Sequence, residues 1–262
     1  MTVRAGTAAP PGYTRFSVGD AEAVGLIPLE TALREALREG SFYDYAAHHP
    51  RARQLVGRGI AYAVPLPGDA ARVVVRRSRH GGVLAPITGE RFLGATRAPR
   101  ELEVVLRLTR LGVPTPEVVA FATYPAGPMV RRADVLTREV EGSTDLASAL
   151  AEADERARRA LLAAVAKLVA SLAAAGARHP DLNIKNVLVA RDANGEPEAW
   201  LLDVDRVWFD TPGSPRVTEA NLRRFDRSAR KWRRTRALPI QEPDLRWLAA
   251  TVSELATADS AS

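Results

Sequence analysis

His179-Pro180-Asp181-Leu182-Asn183-Ile184-Lys185-Asn186 is the stretch on which the fold reading turns. It places a carboxylate, Asp181, and a carboxamide, Asn186, on one short segment with no helical or strand periodicity. A carboxylate on a loop can orient and finally accept the proton of a hydroxyl group. A carboxamide oxygen five positions later, where the chain has turned back, can ligate a hard divalent cation. The flanks agree with a loop. Upstream, Leu161, Leu162, Val165, Leu168, Val169 and Leu172 recur at helical spacing. Downstream, an apolar strand from Asn186 to Ala190 leads through Asp192-Ala193-Asn194-Gly195, a hairpin turn, to a second strand that ends in Leu201-Leu202-Asp203-Val204-Asp205-Arg206. Taken singly, Asp181 and Asp203 read as turn caps. In this order, on helix, loop and hairpin, they read as the two acids of one metal-assisted centre.

The pattern H-x-D-L-x-x-x-N resembles the catalytic loop of the protein-kinase-like fold. That resemblance implies ATP and Mg²⁺ as cofactors, Asp181 as catalytic base, and Asn186 with Asp203 as metal ligands. Asp205 stands where the glycine of D-F-G would be. The first half of the chain supplies weaker partners. Gly57-Arg58-Gly59-Ile60-Ala61-Tyr62-Ala63-Val64 is similar to G-x-G-x-x-G-x-V with Tyr62 in place of the third glycine. Gly57 and Gly59 would let backbone N–H groups approach phosphate, and Val64 would cap the adenine. The strand Ala71–Arg77 should end in a lysine for the α- and β-phosphates, yet the only lysines are Lys167, Lys185 and Lys231. Arg76 or Arg77 must take that place. Alternation puts one of them on the functional face, and Arg76 shares the face of Val74. The helix from about Ala98 to Leu111 should hold that cation with a glutamate, Glu101 in its first turn rather than Glu103.

The composition sets outer limits. The chain has 262 residues, 46% hydrophobic and 26% charged, with no cysteine and a formal net charge of +6. Disulfides and cysteine zinc sites are thereby excluded. The basic excess is almost all arginine, whose planar fork suits phosphates and carboxylates, so the partner should be anionic. Ala160–Ala177 is apolar enough to suggest a membrane span, but Lys167 near its centre makes it a buried core helix instead. Met1–Gly12 reads as a frayed tail without a signal-peptide core.

The expected fold class is α+β, with a strand-rich N-lobe and a helical, shortened C-lobe. We place an N-terminal extension with one short helix, near 28–39, in residues 1–53. The N-lobe takes residues 54–142 and the C-lobe 143–262, with an irregular loop from Arg79 to Thr96.

Longer stretches narrow the resemblance. Gly57-Arg58-Gly59, the run from Val74 to Gly82, residues 100–116, 179–189 and 201–206, and the basic stretch 221–234 resemble the lipopolysaccharide kinase family, and within it the 3-deoxy-D-manno-octulosonic acid (Kdo) kinases of Gram-negative bacteria. An arginine in the lysine position fits that family. The resemblance implies transfer of the ATP γ-phosphate to the 4-hydroxyl of Kdo on Kdo–lipid A. It also implies peripheral attachment at the cytoplasmic face of the inner membrane. Arg76, Arg77, Arg79 and His80, and Arg223, Arg224, Arg227, Arg230, Lys231, Arg233 and Arg234 on the last basic helix, could meet glycolipid and anionic headgroups. Other acceptors stay open: core heptose, an aminoglycoside-like sugar or a protein hydroxyl. So does a nucleotide-binding pseudokinase, motivated by the missing lysine. No specific nucleic-acid partner is expected, and the oligomeric state is open.

Overall fold

Antiparallel strands account for most of the first half. The computed structural model describes residues 8–56, 59–78, 92–93, 96–127 and 130–259. The chain divides into two units, Met1–Glu103 with Glu117–Glu139, and Val104–Pro116 with Val140–Ser262.

The first unit is built on one sheet. Its strands are β1 (Tyr13–Val18), β2 (Ala21–Leu26), β3 (Arg53–Val56), β4 (Ile60–Pro65), β5 (Arg72–Arg77), β6 (Phe92–Leu93), β7 (Val118–Gly127) and β8 (Val130–Arg138). Seven of them run in the order β1-β2-β7-β8-β5-β4-β3, and β6 pairs with β8. Two helices from the first fifty residues, α1 (Glu30–Leu37) and α2 (Phe42–His48), cover one face. Ala32, Leu33, Ala36 and Leu37 form the buried stripe of α1. They meet Phe16, Phe42, Val64, Val73 and Val75 in one core cluster. A Cβ at Gly25 would stand 2.5 Å from Leu33 Cδ1 and 3.2 Å from Ala120 Cβ, so a larger residue there would have to displace the buried Leu33 side chain.

The first 53 residues thus contribute two strands and two helices to the sheet, where the sequence suggests one short helix. The hairpin Tyr13–Leu26 eluded sequence reading because β2, Ala-Glu-Ala-Val-Gly-Leu, has little intrinsic strand preference. Its place is set by pairing with β7 instead, Glu22 to Thr123 through Gly25 to Ala120. Helix α2 starts with a capping box, in which Asp44 N–H donates to Ser41 Oγ (3.1 Å) and Ser41 N–H to Asp44 Oδ2 (3.3 Å).

A buried polar cluster fastens α2 to the sheet. Phe42 N–H donates to the Tyr124 hydroxyl (2.9 Å) and Tyr43 N–H donates to Asp134 Oδ2 (3.0 Å). Asp134 is 2% exposed. Burial pushes its carboxyl up to about 6 from 3.8, against the Tyr43 N–H bond and the Arg77 charge, which pull it down. The folded protein therefore keeps this proton in a window where the unfolded chain has released it. Stability from this group is full below about pH 4 and is lost as pH rises to about 6, by about 3 kcal/mol in all. Asp134→Asn removes the titration but keeps an oxygen for Tyr43. Urea melts of both proteins between pH 4 and pH 7 should show the wild type losing about 2 kcal/mol relative to Asp134→Asn. A difference that does not change with pH would refute this assignment.

The second unit is mainly helical. Helix α3 (Ala98–Arg110) runs from the first unit into the second, and Gly112 (φ 73°) follows its end. Helix α4 (Leu146–Glu152) follows the two-residue strand β9 (Thr144–Asp145), and Asp145 caps it through Ser148 N–H. Helix α5 (Glu155–Ala174) is capped by Asp154, which accepts from Ala157 N–H at 2.7 Å. It buries Leu161, Leu162, Val165, Leu168, Val169 and Leu172, while Lys167 is exposed. Beyond it lie β10 (Ala177–Arg178), β11 (Val187–Arg191), β12 (Pro197–Leu201), β13 (Trp208–Phe209), α6 (Pro215–Arg236) and α7 (Glu242–Asp259). The β11–β12 turn is set by Asp192 Oδ1, which accepts from Asn194 N–H (2.8 Å) and Glu196 N–H (2.9 Å). Among the described residues, no helix is long and apolar enough to cross a membrane.

Candidate active site

Between β10 and β11 the chain makes only a single 3-10 turn, Ile184–Asn186, so its polar side chains have to hold the rest. His179 is 1% exposed. Its Nδ1 accepts from Asp181 N–H (3.1 Å), which leaves the proton on Nε2 to donate to Leu202 O (3.2 Å). Burial holds the imidazole below its usual range, in keeping with a neutral ring. The ring therefore ties residue 181 to the residue before Asp203. Asn183 Nδ2 and Asn186 Nδ2 both donate to Asp181 O at 2.9 Å. Asn183 Oδ1 accepts from Lys185 N–H at 2.9 Å. Leu202 N–H donates to Asn186 O at 2.8 Å, closing the base of the hairpin onto the loop.

These bonds bring Asp181, Asn186 and the end of β12 together. Asn186 is buried, and because its amide nitrogen is spent on Asp181 O, its oxygen is turned away from that carbonyl. Asp203 has φ 60° and ψ 48°, the left-handed region that a non-glycine residue enters at a cost of about 1–2 kcal/mol. Among the described residues, no cluster of three His, Asp or Glu side chains could cage a metal by itself. The carboxamide of Asn186 and the carboxylate of Asp203 are by their chemistry hard oxygen donors, the kind that Mg²⁺ takes beside waters and phosphate oxygens.

Helix α6 braces the loop along one face. Asn221 is fully buried, accepts from His179 N–H (3.0 Å) and donates to Ala177 O (2.9 Å). One turn on, Arg224 Nη2 donates to Asp181 Oδ1 at 2.5 Å. Ser228 Oγ accepts from Ile184 N–H (3.3 Å), and the Trp232 ring lies 5.3 Å from Lys185 Nζ. Positions 221, 224, 228 and 232 follow the i, i+3, i+7, i+11 repeat of one helix face. Sequence reading treated this segment as a basic surface. The spacing of Asn221, Ser228 and Trp232 was the available signal for a face turned inward.

In the first unit, Arg76 and Glu101 form an ion pair, and Glu101 is 4% exposed. Arg77 points to the other face, where it pairs with Asp44 (3.2 Å) and lies 4.1 Å over the Tyr43 ring. Val64 requires a correction. It is opposite Val73, on the Arg77 face, and has no exposed surface beneath α1 and α2. It cannot serve a nucleotide on the Arg76 face. Ala61, opposite Arg76, and Ala63, opposite Val74, are residues of β4 on that face. Gly59 lies at a bend before β4, and Gly57 lies outside the described residues, as do Arg79 and His80.

Residues 58–251 match the family described as the lipopolysaccharide kinase (Kdo/WaaP) family. The chain belongs to that family. Among its relatives, the 3-deoxy-D-manno-octulosonic acid kinase of Xanthomonas oryzae pv. oryzae (strain PXO99A) is 34% identical over 212 residues, 78% of this chain and 81% of that protein. The enzyme of the same name from Stenotrophomonas maltophilia (strain K279a) is 31% identical over 219 residues, covering 80% and 84%. That of Vibrio parahaemolyticus is 27% identical over 201 residues, covering 75% and 80%. A solved structure titled WaaP in complex with acyl carrier protein aligns at TM-score 0.48 and 17% identity, over 85% of this chain and 96% of that one. Membership of this kinase family, and a large antiparallel sheet before a mainly helical C-terminal part, make the α+β architecture the protein-kinase-like one.

Proposed function

We propose that this chain transfers the γ-phosphoryl group of ATP to the 4-hydroxyl of Kdo on Kdo–lipid A. The observation that carries the reading is the hydrogen-bonded loop in which Asp181 and Asn186 are tied to each other and to Leu202, which follows β12 and precedes Asp203. The names of the relatives favour Kdo over heptose, aminoglycosides or protein as acceptor.

Asp181 orients the attacking hydroxyl and takes its proton as the new O–P bond forms. The bond from Pγ to the bridging oxygen breaks, and ADP leaves. Mg²⁺, held by Asn186 and Asp203, would offset the charge of the β- and γ-phosphates. Arg76, steadied by Glu101, is assigned to the phosphates in place of lysine. Most of the rate comes from positioning and charge neutralisation.

Helix α6 also supports attachment to an anionic surface. Arg230 and Arg233 pair with Glu242 at 2.7 and 2.8 Å. Arg223, Arg227, Lys231 and Arg234 are exposed, and they repeat at i, i+4, i+8, i+11 along one stripe. Such a stripe suits acidic headgroups at a membrane surface, each cation adding about 1 kcal/mol.

The test is direct. Kdo–lipid A in vesicles containing anionic phospholipid is incubated with ATP, Mg²⁺ and purified protein. The glycolipid should gain the mass of one phosphate, and the protein should sediment with the vesicles at low salt. Phosphate on heptosylated core or on protein, but not on Kdo–lipid A, would refute the acceptor. Protein left in the supernatant would refute the membrane part.

A further inference from the structure

The Arg224–Asp181 pair joins the proposed base to a cation that is only partly used. The Arg224 side chain is 35% exposed, and that of Asp181 is 27% exposed. Among the described residues, the Arg224 guanidinium makes one hydrogen bond, from Nη2 to Asp181 Oδ1. Its Nε is buried and bonds to nothing. A guanidinium has five donors arranged as a fork, so most of this one is not committed to Asp181. Its backbone is fixed from both sides: Asn221, one turn before it, holds His179 and Ala177, and Ser228, one turn after it, holds Ile184.

A charge problem in the reaction gives this cation a purpose. The acceptor in the reading above is a sugar acid, and this inference rests on that reading. When its hydroxyl is delivered to Asp181, its carboxylate comes within one ring's width of the Asp181 carboxylate. Two like charges at that spacing repel, and the repulsion grows as water leaves the site. A neutral sugar would meet no such penalty.

We propose that Arg224 is the acceptor-recognising residue. It holds Asp181 through Nη2 and receives the acceptor's carboxylate on its remaining terminal Nη donors. One side chain then sets the base, neutralises the approaching acid and selects acidic over neutral sugars. Lys185 is less suited, because its ammonium lies over the Trp232 ring.

The experiment compares Kdo–lipid A with its Kdo methyl ester, whose hydroxyls are intact and whose charge is gone. The wild type should prefer the acid by about tenfold or more in kcat/KM, the difference residing in the acceptor KM. Arg224→Gln keeps an N–H donor for Asp181 and removes the charge. It should reduce the acid-over-ester preference to within about twofold, the loss falling more heavily on the acid than on the ester. Arg224→Lys should retain part of the preference. Equilibrium binding of ATP·Mg²⁺ to each variant verifies that it is folded. The proposal fails if Arg224→Gln slows acid and ester equally, since Arg224 would then only position Asp181. It fails equally if the wild type does not distinguish the two acceptors. A wild type that phosphorylates neither overturns the sugar-acid reading itself, a result visible before any variant is made.

Discussion

Asp181→Asn is expected to lower kcat for phosphoryl transfer about 10³-fold, with the KM for ATP changed by less than about threefold. The substitution is nearly isosteric. The main-chain oxygen of residue 181 still accepts from Asn183 and Asn186, and its N–H still bonds His179, so the loop should keep its shape. What disappears is the carboxylate that takes the hydroxyl proton. A fall confined to kcat would mark a group that acts in the transition state rather than in binding nucleotide. Measuring initial rates across ATP concentrations decides it. An asparagine variant with a tenth or more of wild-type kcat would remove Asp181 from the role of base. Robust wild-type turnover would at the same time exclude a pseudokinase.

Gly176→Ala should be among the most damaging small substitutions in the second unit, at about 3–5 kcal/mol. Gly176 follows α5 with φ +65°, and a Cβ there would stand 2.3 Å from Asp210 O, 2.9 Å from Pro212 N and 3.0 Å from Thr211 C. All three are backbone atoms, so no side chain can swing aside. Gly176 O also accepts from Asp210 N–H at 2.8 Å, which ties the contact to the β10–β13 pairing just before the His179 loop. Gly142 is the control: it has φ +63°, but a Cβ would meet nothing within 4 Å. Gly142→Ala should cost about 1 kcal/mol, the left-handed backbone alone. In thermal melts Gly176→Ala should lower the midpoint by roughly 6–12 °C and Gly142→Ala by roughly 2–4 °C. Equal shifts would mean that the Asp210–Pro212 backbone yields freely.

The local parts of this fold were legible because their signals are local. Helix α5 shows its apolar repeat, the β11–β12 hairpin its Asp-Ala-Asn-Gly turn, and β5 its run of valines. The loop 179–186 and Asp203 stand out by their order on helix, loop and hairpin and by the resemblance to a kinase pattern, and the structure joins that loop to the end of the hairpin. What stayed hidden depends on distant partners. Strand β2 is a strand because β7 lies beside it, and Asn221 addresses a loop more than forty residues away. Val64 was misplaced by an alignment of glycines that ignored strand parity: one residue of slip moves a side chain to the opposite face. Arg76 and Arg77 differ by that same parity, and counting from Val74 pairs Arg76 with Glu101 and leaves Arg77 to Asp44.

The cation opposite Glu101 is a guanidinium, and no lysine occurs before residue 167. Reagents that profile kinases by acylating or condensing with a nucleophilic amine beside the bound nucleotide depend on a group that can lose its proton near neutrality. Lysine does so when its surroundings shift it, whereas arginine stays protonated and does not form Schiff bases. Covalent nucleotide probes of that kind would find no amine target in the unit that carries Arg76. Surveys that read labelling at that position would pass over this protein, and any label would have to fall elsewhere, as on Lys185 of the 179–186 loop.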